Sequence, residues 1–153
     1  MSTVPQLRAA LVAMLGTVPG IGHVHDRERY VRDATALKAL YVDAGQLRGW
    51  WVRRVETERR AINMARNRTV HTWQIRGYMA LDDAGASEIA FDALIERIAQ
   101  AYDADPTLGG LVQEAPLAAD SLRGIQVADV GPVMFSGVLS HSAVLQLKTW
   151  SYS

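Results

Sequence analysis

The chain contains no cysteine. That excludes disulfide stapling and thiolate chemistry, and it suits assembly in a reducing cytoplasm. Net charge is absent too, because sixteen Lys and Arg balance sixteen Asp and Glu. No overall field draws the molecule onto nucleic acid or an anionic membrane, so any charge effect is local. No apolar stretch approaches the roughly 20 residues of a membrane-spanning helix. Residues 1–16 also lack the basic start and unbroken apolar run of a secretory signal, since Gln6 and Arg8 interrupt them.

What is present fits one domain over residues 1–153. An apolar fraction of 49% with 21% charged residues is ordinary for a globular chain of this length and supplies one hydrophobic core. Thr3 is placed to cap a helix over about residues 4–16, with Leu7, Leu11, Met14 and Leu15 on one face. Ile21 to Tyr30 reads as a short strand entering a charged turn. Asp33 is placed to cap a helix over 34–44 that Gly45 stops.

Leu47–Val55 and Val70–Leu81 read as two strands joined by a polar connection. The interval from Glu56 to Arg68 is expected to be mobile in the free subunit and to order on assembly. Ser87 is expected to cap a helix over about 87–103, with Phe91, Leu94, Ile95, Ile98 and Tyr102 in one stripe. A loop around Pro116 leads to a strand over 122–130, which Gly131-Pro132 ends or bends. A β-rich run from Met134 to Tyr152 then closes the chain, its aromatic end inside the sheet. The order predicts an α+β domain: a mainly antiparallel, mixed sheet with two or three helices packed against it and an extended β-hairpin or loop.

Motifs for bond chemistry are sparse. His23 and His25 alternate along a strand and point the same way, but a metal needs three or four ligands, and His71 and His141 must converge on them to supply the rest. Strand or surface histidines are the more ordinary reading, and no metal site is assigned. No serine sits in a Gly-x-Ser-x-Gly elbow, and neither Gly20-Ile21-Gly22 nor Leu108-Gly109-Gly110 has the spacing of a phosphate loop. Asp82-Asp83 lies in a turn before a helix, where acidic residues are favoured on structural grounds. No catalytic residue and no cofactor is expected.

Charge is segregated along the chain. Between positions 48 and 68, seven arginines face only Glu56 and Glu58, whereas between 82 and 105 seven carboxylates face only Arg97. A neighbouring copy that presents its acidic helix to this basic segment makes an oriented, head-to-tail contact. The candidate interface residues are Trp50, Trp51, Arg53, Arg54, Arg59, Arg60, Arg66 and Arg68 on one side and Asp92 and Glu96 on the other. Trp50 and Trp51 are adjacent on a strand and point to opposite faces, so at least one is a candidate partner anchor. The same arginines and tryptophans also suit phosphate neutralisation and base stacking, although overall neutrality and the lack of a binding motif weigh against that.

Several elements in this order resemble the tail-terminator, or tail-completion, proteins of long-tailed bacteriophages. They are the helix ending at Val18-Pro19-Gly20, the strand Gly22-His23-Val24-His25-Asp26, and the strand from Thr72-Trp73 to Gly77-Tyr78. The helix from Phe91-Asp92 to Arg97-Ile98, Leu108-Gly109-Gly110 and the terminal strand complete the likeness. It covers nearly the whole chain and carries no catalytic motif. The resemblance implies a structural virion protein, not an enzyme, whose homohexameric ring stops tail-tube polymerisation and joins tail to neck. The implied partners are the tail tube protein and a neck or head-completion protein, with DNA only in passage and no membrane. A head-completion or stopper protein is the neighbouring reading; a nucleic-acid-binding module and a metal-dependent hydrolase are the readings from other classes.

Overall fold

Thr3 opens the first helix through a reciprocal cap: its hydroxyl accepts the Gln6 backbone N–H while the Gln6 side chain accepts the Thr3 N–H. The structure is a computed structural model that describes residues 2–113 and 122–153. This helix, α1 (Val4–Gly16), buries Leu7, Leu11 and Leu15 on one face, as the spacing predicts. Burial of each contributes roughly 1.5–3 kcal/mol.

The short strand expected at the start of 21–30 is β1, His23–His25, and the chain bends at Asp26 and Arg27, where the charged turn is expected. The charged residues after it find no neighbouring strand, and Arg27 pairs with Asp26 instead of continuing a ladder. Asp33 caps α2 (Ala34–Ala39) by accepting the Thr35 N–H at 3.0 Å. That helix is shorter than expected because Val42–Asp43 forms a strand, β2. Ala44 and Gly45 both take positive φ, the two-residue turn that suits the twist of a hairpin, and return the chain into β3 (Gln46–Asn63).

The interval from Glu56 to Arg68 is the extended β-hairpin of the expected fold, paired throughout and not an unpaired connection between two short strands. It forms the distal arms of one long hairpin, β3 with β4 (Arg66–Ala80), and pairing continues to Asn63 and Arg66. Alternating polar residues conceal a strand whose two faces both meet water at this end. Irregularities at Arg54/Glu56 and Ala61/Asn63 bend it.

Ser87 does not cap the next helix, α3 (Ser87–Ala104); the cap is Ala86, in the left-handed region at φ 53°. The Ser87 hydroxyl instead accepts the Asp82 N–H at 2.8 Å and lies 2.7 Å from His141 Nε2. The loop expected around Pro116 lies outside the described residues. β5 (Gln126–Phe135) starts later than expected and runs through Gly131-Pro132. It is the outermost strand of the sheet, where a missing proline N–H is tolerated. Ser136 and Gly137, again both at positive φ, divide the C-terminal run and lead into β6 (Val138–Tyr152).

The result is an α+β fold: a mixed six-stranded sheet with three helices. Strand order is β1-β3-β4-β6-β5, with β2 beside β3; β1 runs parallel to β3 and the other pairings are antiparallel. The aromatic β6 lies inside the sheet, as expected. α1 and α3 cover one face, where Trp50, Val52, Trp73, Ile75 and Leu145 meet Leu11, Phe91 and Ile98. A smaller cluster on the other face joins Tyr41, Leu47, Trp51 and Tyr78, with Leu37 of α2 and Phe135 against it. Among the described residues no other helix covers that second face.

Candidate functional site

The two tryptophans point to opposite faces, as adjacent strand residues must, but neither is a free anchor. Trp50 is 1% exposed and stacks on Phe91, while Trp51 is 3% exposed in the smaller cluster. Each face of the sheet has its own cover at this point, so both belong to the subunit's interior. Their proposed role as partner anchors is therefore corrected.

The arginines divide into two groups. On the second face, Arg53 reaches Glu28 at 3.2 Å and lies over the Trp51 ring, and Arg60 pairs with Glu58 at 2.6 Å. Arg68 covers Trp150, and Arg66 covers Tyr152. These four shield aromatic rings or meet carboxylates of their own chain. Arg54 and Arg59 differ. The register pairs them with Trp73 and Thr69, whose side chains lie on the helix-covered face, and both are exposed. Among the described residues neither meets a carboxylate.

Both are close enough to act on His71. Burial first, and then the positive fields of Arg54 and Arg59, hold that imidazole below its ordinary value. His71 Nδ1 is hydrogen bonded to Thr57 at 2.8 Å. The other histidines are also engaged separately: His23 and His25 donate through Nε2 to the carbonyls of Val42 and Leu40, both at 2.7 Å. His141 contacts Ser87 and stacks on Phe91. His25 is likewise lowered, chiefly by burial. The four do not converge, and no group of three metal-ligating side chains forms among the described residues.

The acidic side of the candidate contact is built by α3. At about 100° per residue, Glu88, Asp92, Glu96 and Asp103 fall on one flank, while Arg97 falls on the other. Arg97 donates to the Pro19 carbonyl at 3.3 Å, and Ala101 shares a cavity with Ala10 and Met14. That flank faces α1, so the carboxylates face away from it. Asp103 accordingly lies against Gly124, two residues before β5. Asp92 and Glu96 are exposed and meet no basic side chain among the described residues.

Basic and acidic candidates are thus not brought together within one chain. Arg53, Arg54, Arg59 and Arg60 line β3, which pairs with no strand on its outer side beyond Trp51 among the described residues, and Arg66 and Arg68 lie on β4. The carboxylates lie on the flank of α3 turned away from α1, and Asp103 of that flank lies against Gly124, just before β5 at the opposite edge of the sheet. One feature escaped the sequence pattern. Val127, Val130, Met134 and Leu139 are about half exposed or more, at 49%, 48%, 67% and 49%. Their partners Leu145, Ala143 and Leu139 lie on the helix side, and the irregularity between Val127 and Asp129 keeps Val127 and Val130 on that same side. A strict alternation rule puts 127 and 130 on opposite faces, which hid the strip.

No helix among the described residues is long and apolar enough to cross a membrane. No protein-family model matches the chain, and no curated protein matches it.

Proposed function

We propose that the chain is a structural subunit that assembles head to tail into a ring, a homohexamer, and caps the head-proximal end of a phage tail tube. In that role it ends tube polymerisation and joins tail to neck in the virion, and DNA only passes through. The step needs no bond chemistry. The tube and neck partners come from the resemblance of the sequence to tail-terminator proteins.

The observation that carries the assembly reading is the placement of opposite charge at opposite edges of one sheet. Arg54 and Arg59 lie on β3, and Asp92 and Glu96 lie on the flank of α3 that meets the start of β5 at Asp103, none with an ion partner in its own chain among the described residues. Two different patches that complement each other generate a heterologous contact, and such a contact closes into a ring when its rotation permits. A two-fold dimer needs instead a single self-complementary patch.

The test is the solution mass of the purified protein, alone and with tail tubes, followed by negative-stain imaging. Rings of about six copies on tube ends are expected. A protein that stays monomeric and ignores tubes overturns the proposal. Rings that bind heads and not tubes point to a stopper or head-completion role.

A further inference from the structure

We infer that the apolar strip on the β5–β6 hairpin, bordered by the acidic flank of α3, is the socket for the distal β3 edge of a second copy of this chain. The inference rests on the ring reading and specifies its contact. In it Val127, Val130 and Met134 supply the apolar floor, and Asp92 and Glu96, on the flank of α3 that meets the start of β5 at Asp103, supply the charged wall.

The occupant follows from what the other edge carries. Distal β3 presents two exposed apolar side chains, Val55 at 43% and Ile62 at 50%, together with Arg54 and Arg59. When two sheets are set side by side with their helices on the same side, Arg54 and Arg59 of one copy lie beside Asp92 and Glu96 of the next. Apolar surface meets apolar surface below them. Contiguous exposed apolar residues rimmed by charge are the usual mark of a protein contact.

Side chains make this contact, not a long main-chain ladder. Pro132 removes a backbone donor in the middle of β5, and the irregularity before Asp129 breaks its regular spacing. On the other side, Arg8 donates to the Val52 carbonyl at 3.2 Å, and irregularities at Arg54/Glu56 and Ala61/Asn63 interrupt the distal part of β3. Both edges are thereby protected against indiscriminate strand pairing while their side chains stay free. Selectivity for a second copy then comes from charge order and from the apolar floor.

The test uses the full chain and three variants at exposed positions: Arg54→Glu with Arg59→Glu, Asp92→Arg with Glu96→Arg, and all four changes together. Association is measured by sedimentation and folding by circular dichroism. Each double reversal is expected to weaken association at least about tenfold with folding unchanged, and the fourfold variant to recover it. Val130→Lys with Met134→Lys is expected to block association without rescue by either reversal. If the wild-type chain forms rings and all these variants do so equally well, the socket is wrong and the ring reading stands. If the wild-type chain forms no ring with or without tubes, the ring reading fails and the socket with it.

Discussion

Gly77 lies directly across from Trp50 in the β3–β4 ladder, and the indole occupies the space that a side chain at position 77 would fill. The glycine is what lets this buried indole lie against the sheet and stack on Phe91 at 5.9 Å. Gly77→Ala therefore forces Trp50 off its rotamer or spreads the strands. A loss of about 3 kcal/mol is expected, at the upper end of ordinary overpacking. Chemical denaturation measures it, and a loss below about 1 kcal/mol means that the ring has room to move.

Trp73 donates from Nε1 to the Thr149 hydroxyl at 3.0 Å, and both residues are buried. Thr149→Val keeps the shape and removes the acceptor, leaving an indole N–H without a partner in the interior. The expected cost is about 2 kcal/mol, more than the loss of an exposed hydrogen bond, because the stranded donor has also given up water. Denaturant unfolding of the variant checks this. An unchanged midpoint indicates that a water molecule takes the place of the hydroxyl.

His25 and His71 are both held below the ordinary 6.5, first by burial. The folded state therefore binds fewer protons than the unfolded chain as acid is added. Their contribution to stability is complete above about 6.5, the unfolded value, and is lost as pH falls below it toward the folded values. Unfolding free energy measured from about pH 8 to about pH 5 is expected to decline toward acid, and the double variant His25→Gln, His71→Gln to show a flatter profile. Equal slopes for the two proteins remove these groups as the cause.

The α+β class, the two capped helices at Thr3 and Asp33, and the buried stripe from Phe91 to Tyr102 were legible because apolar spacing and capping chemistry are local. Ser87 misled because its hydroxyl is used in tertiary contact with Asp82 and His141, a demand invisible along the chain. Glu56 to Arg68 looked like a connection because neither face of the distal hairpin needs apolar residues. The charged half of the candidate contact was readable from composition. Its apolar half was not, since the shift at Val127 to Asp129 scrambles the period on which strand reading depends.

Arg59 and Arg60 are neighbours in sequence but not in environment, and this separates two accounts of the basic hairpin. Arg60 lies on the second face and is paired with Glu58 at 2.6 Å, so reversing it mainly breaks a solvated pair worth little. Arg59 lies on the helix-covered side, exposed and without a carboxylate among the described residues, where the proposed neighbour presents Asp92 and Glu96. Arg59→Glu is therefore expected to weaken self-association several-fold more than Arg60→Glu, with both variants folding normally. If the contact is ionic, the wild-type association also weakens as salt rises, and the difference between the two variants shrinks with it. Sedimentation across a salt series reads both effects. If the two reversals act equally, the contact depends on the net charge of the hairpin and not on the face it presents, and the side-by-side arrangement of sheets loses its main support.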